Sequence, residues 1–262
     1  MPVMNETGKI KNQICLVDEF NKLWHQVVGT AHREALITTH AEPGDVSFTV
    51  VDETHFTEEI KKLLGMLERV STPKSGRNYI QSKCERLIER TLNDATFKEQ
   101  LLSAGDPRPL GRFMELFYES FSSDGFSFLK PKLSFTPNQD QPLGFAFWSK
   151  SVEQTKVEDL VMRFRLPDFM LLDDVSQLGT FAHECIHNII HQAAIAVRDN
   201  EMDESHPLYE TGLFKILELK GTDFNALHIW SAYQAQPEEK VCYANQDLIE
   251  AAYHKLKAAG PK

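Results

Sequence analysis

Residues 179–191 read Gly-Thr-Phe-Ala-His183-Glu184-Cys-Ile-His187-Asn-Ile-Ile-His191. In a helix, side chains four apart share a face, so His183 and His187 stand one above the other, about 6 Å apart along the axis, and both imidazoles can converge on one ion. Zinc suits imidazole nitrogen and lowers the pKa of a bound water to about 7. Glu184 follows the first histidine directly, where its carboxylate can take a proton from that water. Phe181, Ala182, Cys185, Ile186, Ile189 and Ile190 fill the other positions. They would bury the helix and dry the site. Three histidines and a glutamate on so apolar a helix need partners, because buried polar groups without them are costly.

The segment resembles the active-site helix of the zincin metallopeptidases, in which the two histidines bind zinc and the glutamate is the general base. The likeness spans roughly residues 160–250, and the first 130 residues resemble no named family. It implies a zincin-like fold, with a small mixed sheet packed on the HExxH helix and a helical region before it. It also implies a strand that lines the cleft and pairs with substrate backbone, for which Leu160–Leu166 and residues 143–148 are the candidates.

Catalytic zinc takes three protein ligands and a water. His191 extends the same helical face, and HExxHxxxH occurs in ImmA/IrrE-type peptidases. In an unbroken helix, however, it lies about 12 Å from His183. No glycine turns the chain as in metzincins, so His191 reads as cleft lining. The run Gln236-Pro237-Glu238-Glu239-Lys-Val-Cys242-Tyr243-Ala-Asn-Gln246 is similar to the Pro-x-Glu-x-x-Ala-x-x-x-Gln helix that supplies the glutamate ligand in gluzincin-like families. Cys242 stands where that pattern has alanine, and so small a residue would let the two helices approach. The likeness makes Glu239 the first choice for third ligand. The alternative reading is an acidic first turn favoured by the helix dipole. Glu210 comes second, at an ImmA/IrrE-like interval after His187. Asp223 comes third, in a Gly-Thr-Asp run that resembles the aspzincin element but has Phe224 at its ligand position. Tyr233 and Tyr243 flank Glu239, and a tyrosine can donate to a developing oxyanion.

The elements that must position these groups follow from periodicity. Residues 14–28, 57–70, 77–92 and 112–121 have helical spacing, and Val46–Val50 alternates as a short strand. The aromatics Phe113, Phe117, Tyr118 and Phe121 read as core. Residues 132–136 and 143–148 are strand-like around a polar turn, which predicts a hairpin. In residues 160–166, Leu160, Met162, Phe164 and Leu166 alternate with Val161, Arg163 and Arg165, a half-exposed strand. From Ser176 the chain is helical again. Helices, a small sheet and further helices make an α+β fold. The reading is one domain over 1–262, mainly helical over 1–130, with strands and active-site helices over 131–262.

The 262 residues are 42% hydrophobic and 25% charged, ordinary values for a globular chain. A net charge of −10 argues against nucleic acid, which needs a basic face; the acidity reads first as solubility, and alternatively as a surface that attracts a basic protein substrate. Cys15, Cys84, Cys185 and Cys242 form no CxxC pair and read as reduced thiols. No apolar run is long enough for a membrane span. No basic-then-apolar leader opens the sequence, which predicts a cytoplasmic protein or one exported by a route other than Sec. A compact, cysteine-poor zincin of this kind resembles both housekeeping peptidases and proteases that bacteria inject into host cells.

The functional expectation is a zinc-dependent metalloprotease that hydrolyses peptide bonds of a protein substrate, with Zn2+ on His183, His187 and Glu239 and with Glu184 as general base. The alternatives are another zinc hydrolase and a non-catalytic interaction protein with a structural metal. Peptide deformylase shares HExxH, but its Glu-Gly-Cys element is absent here.

Overall fold

The computed structural model describes residues 72–103, 109–122, 124–137, 144–147, 155–166, 168–221 and 236–260. Expected elements over 14–28, 46–50 and 57–70 lie outside these residues, as do Cys15, Asp223 and Tyr233. The described elements are α1 (Lys74–Asn93), α2 (Ala95–Leu102), α3 (Pro109–Phe121), β1 (Lys132–Thr136), β2 (Gly144–Phe147), β3 (Val161–Arg165), α4 (Asp168–Leu171), α5 (Asp174–Arg198), α6 (Tyr209–Gly221) and α7 (Pro237–Ala259). The result is a helix-dominated α+β fold with one small mixed sheet.

The motif sits on α5, and α5 is the centre of the molecule. Its N-terminus is fixed by Asp173, whose side chain accepts from the backbone N–H groups of Val175 and Ser176. Most of its residues from Val175 to Val197 are buried, on every face. A helix buried all round must be covered from several sides. Helices α6 and α7 pack along it, α3 lies on another flank, and the sheet covers a third. Asn188 and Gln192, two polar residues that face the core, are paired. Tyr118 on α3 donates to Asn188 Oδ1 at 2.7 Å. Gln192 Nε2 donates to the same oxygen at 2.6 Å and to Leu129 O at 2.7 Å. These bonds fix the rotation of α5 and so the direction in which its histidines point.

Close approach of α6 to α5 depends on Gly212. A Cβ there would stand 2.6 Å from the Ala193 carbonyl oxygen. On α7, Pro237 opens the helix at a position where its missing N–H costs nothing, and Gly260 closes it at φ 68°.

The sheet order is β1-β3-β2. The expected hairpin does not form: β1 and β2 do not pair with each other but flank β3, β1 parallel to it and β2 antiparallel. Burial gives the reason. Met162 and Phe164 on β3 are fully buried, whereas Leu133 and Phe135 on β1 remain 40% and 51% exposed. The strand with the most apolar inner face takes the centre, where both of its edges are hydrogen-bonded. The alternation expected for residues 160–166 is present, with Met162 and Phe164 inward and Arg163 and Arg165 half-buried. Phe164 stacks on Phe181 of α5 with ring centroids 5.5 Å apart, which locks the sheet to the motif helix.

The α3 aromatics are core, as their spacing indicates. Phe113, Phe117 and Phe121 are fully buried and meet Phe97 on α2, Phe181 on α5, Tyr253 on α7 and Phe128 in the segment before β1. The early helices thus share one hydrophobic core with the motif helix.

Candidate metal centre

Helix α5 presents Gly179, His183, His187 and His191 at four-residue spacing, and α7 presents Glu239, Cys242, Tyr243, Gln246 and Glu250 at helical spacing. The two stripes face one another. At position 179 a Cβ would lie 2.0 Å from Glu250 Oε1 on α7, so the Glu250 side chain would have to move to admit one.

Where the stripes meet, three groups converge. The Nε2 atoms of His183 and His187 are 3.1 Å apart. One Glu239 oxygen lies 3.1 Å from His183 Nε2 and the other 3.1 Å from His187 Nε2. All three residues are buried, and so is Glu184, which follows His183 on the helix. The remaining imidazole nitrogens are also engaged. His183 Nδ1 is 3.1 Å from Gln246 Oε1, and His187 Nδ1 is 2.5 Å from Glu238 Oε1. Gln246 in turn donates to Glu250 at 2.9 Å. Tyr243 sets its ring edge-to-face on His183 at 4.6 Å.

The electrostatics follow from this crowding. Burial opposes charge on His187, yet contact with the Cys242 sulfur and the negative charges of Glu239 and Glu238 lift its pKa well above the usual imidazole value. Burial also favours the neutral acid of Glu239. The charge on His187 and hydrogen bonds from both imidazoles prevail, and its carboxyl is held down to about 2. For Glu238, Lys215 and His187 likewise outweigh burial and keep the carboxyl well below the ordinary range. The cluster is therefore built to hold positive charge, as a proton or as a metal ion.

The other expected ligands fall elsewhere. Glu210 accepts from Ser75 Oγ at 2.8 Å in an exposed contact. His191 sits one turn beyond the pair, its ring 6.3 Å from that of His187 and its Nε2 3.6 Å from Glu238. Burial lowers its pKa to about 3, so it is a neutral wall of the site.

One neighbour was not among the sequence candidates. Ligand-capable atoms of His183, His187 and Cys242 lie within 4.8 Å of one another, so this buried group could bind a metal ion. Cys242 lies three residues after Glu239 and shares its face of the helix, which is the signal that could have found it. The two possible third partners differ in reach. The Glu239 carboxylate already spans both imidazoles at 3.1 Å, whereas the Cys242 sulfur belongs to a looser grouping, within 4.8 Å. Glu238 and Gln246, which hold the far side of each imidazole, also went unassigned from sequence.

Of the two strands considered for pairing with substrate, β3 has both edges occupied, while β2 packs against α5 and, among the described residues, pairs on one edge only. Among the described residues, no helix is long and apolar enough to cross a membrane. No family model matches this chain, and no curated protein or solved structure is significantly similar to it.

Proposed function

We propose that this protein is a zinc-dependent peptidase that cleaves a protein substrate, with His183, His187 and Glu239 as metal ligands and Glu184 as the general base. One observation carries the reading: His183 Nε2, His187 Nε2 and the Glu239 carboxylate approach one another at 3.1 Å. Two ligands on a tetrahedral zinc, each about 2.0 Å from the ion, are about 3.3 Å apart. Two imidazoles and a carboxylate are a donor set that zinc accepts, and three protein ligands leave a fourth position open. Zinc held there supplies Lewis acidity and makes a water acidic enough to lose its proton near neutral pH.

The chain's own groups do the rest. Glu184 accepts the proton of the attacking water and delivers it to the amine nitrogen as the peptide C–N bond breaks. Gln246 and Glu238 orient the two imidazoles. The edge of β2 that is unpaired among the described residues suits an extended peptide backbone, which would add as a further strand. A net charge of −10 favours a basic substrate.

A second reading has its own observation, the closeness of Cys242. If Cys242 and Glu239 both bound the ion, four protein ligands would close the site and make it structural. Cleavage separates the two readings. Zinc-loaded wild type and Glu184→Gln are incubated with a mixture of denatured proteins. The peptidase reading predicts fragments from the wild type and a loss of about 10²–10⁴-fold in the variant at equal zinc content. Equal proteolysis by both proteins would remove Glu184 from its role.

A further inference from the structure

Glu238 and Glu239 are adjacent in the first turn of α7, and both are buried, at 7% and 4% exposure. Consecutive helix residues point about 100° apart, so two neighbouring carboxylates cannot meet the imidazoles in the same way. Glu239 lies on the Nε2 side of both histidines. Glu238 passes to the other side of His187 and meets Nδ1 at 2.5 Å. Its second oxygen forms an ion pair with Lys215 Nζ. Lys215 belongs to α6, a helix that contributes none of the proposed metal ligands, and its side chain is 14% exposed. Three helices are therefore joined at one carboxylate.

The chemistry of imidazole gives this junction a task. A neutral ring has one N–H, and an acceptor at Nδ1 fixes the proton there and leaves the Nε2 lone pair for a metal. A carboxylate next to a ligand is also a competitor for the ion unless something else holds it.

We propose that Lys215 and Glu238 form a positioning pair: Lys215 anchors one carboxylate oxygen, so that the other holds His187 with Nε2 toward the metal and Glu238 does not displace Glu239 as ligand. The proposal rests on the zinc reading above. It assigns Glu238 and Lys215 no contact with substrate. Stability alone is a weak account of the pair, because buried ion pairs are often replaceable by apolar residues at little cost.

The test measures zinc dissociation constants by competition with a chromophoric chelator, together with visible spectra of the cobalt(II)-substituted protein. The wild type is compared with Glu238→Ala, Glu238→Gln, Lys215→Met and Lys215→Arg, well below the melting temperature of each. Glu238→Ala should weaken zinc about 10–100-fold and change the cobalt bands, which report ligand geometry. Glu238→Gln should lose less, since its amide oxygen still accepts from Nδ1. Lys215→Met should weaken zinc and alter the bands, and Lys215→Arg should restore both. Zinc affinity within twofold of wild type and an unchanged cobalt spectrum in Glu238→Ala would overturn the pairing. The same result in Lys215→Met would overturn it if Glu238→Ala does not fold. A wild-type chain that takes up neither ion overturns the zinc reading itself and the pairing with it.

Discussion

His183 and His187 meet at their Nε2 atoms, 3.1 Å apart, on a helix whose position is fixed from several sides. The contact is not forced by helix spacing alone, which sets only the separation of the backbones. The rings turn toward each other because α7 holds the outer nitrogen of each, Gln246 on His183 and Glu238 on His187. Glu239 of the same helix lies across the gap.

Under the proposed assignment, zinc affinity ranks the candidate ligands. His187→Ala and Glu239→Ala should each lose zinc at comparable severity, whereas Glu210→Ala should bind as the wild type does, because Glu210 bonds Ser75 at the surface. Chelator competition on the purified variants measures this. Full affinity in Glu239→Ala, with loss in Glu210→Ala, would reverse the ranking.

The approach of α6 can be tested separately. In Gly212→Ala the new methyl would meet backbone, the Ala193 carbonyl, at 2.6 Å, so α6 must move away from α5. Overpacking of this kind costs about 1–3 kcal/mol, which is about 2–4 °C of Tm per kcal/mol for a chain near this size. Because Lys215 rides on α6, zinc affinity should fall along with Tm in a thermal melt and a chelator titration. An unchanged Tm would show that the two helices have slack.

A pH-dependent contribution to stability lies at Asp94, the N-cap between α1 and α2. Hydrogen bonds from Arg112, supplemented by the Phe97 N–H, hold the Asp94 carboxyl below its ordinary value. A depressed folded-state pKa stabilises the fold above the unfolded-state pKa, and the contribution is lost as pH falls through the folded value. Asp94→Asn keeps an N-cap but loses the ion pair, so it should be less stable than the wild type at neutral pH by up to about 1 kcal/mol. The difference should vanish in acid. Urea melts across that range check it, and a gap that widens in acid contradicts it.

Which side chains cluster was more legible in the sequence than the order of the strands. Four-residue spacing of His183 and His187 is a local property, and so is the burial predicted by the isoleucines around them. Glu239 lies 52 residues beyond His187 in the chain. It was reached through a short pattern rather than through geometry, since a tertiary return leaves no periodic trace. Cys242, Glu238 and Gln246 stand in the same pattern, but their places around the imidazoles follow only from the way α7 lies against α5. The hairpin expectation failed because local alternation cannot say which strand takes the centre of a sheet. That choice depends on which inner face the helices bury most completely, and Met162 and Phe164 win it.

The ligand set itself is most directly read by X-ray absorption at the zinc edge on the zinc-loaded wild type. Coordination by His183, His187 and Glu239 with an open fourth position predicts a first shell of nitrogen and oxygen alone, at about 2.0–2.2 Å. A sulfur scatterer at about 2.3 Å would place Cys242 on the ion and contradict the assignment, and a sulfur lost in Cys242→Ala would identify it.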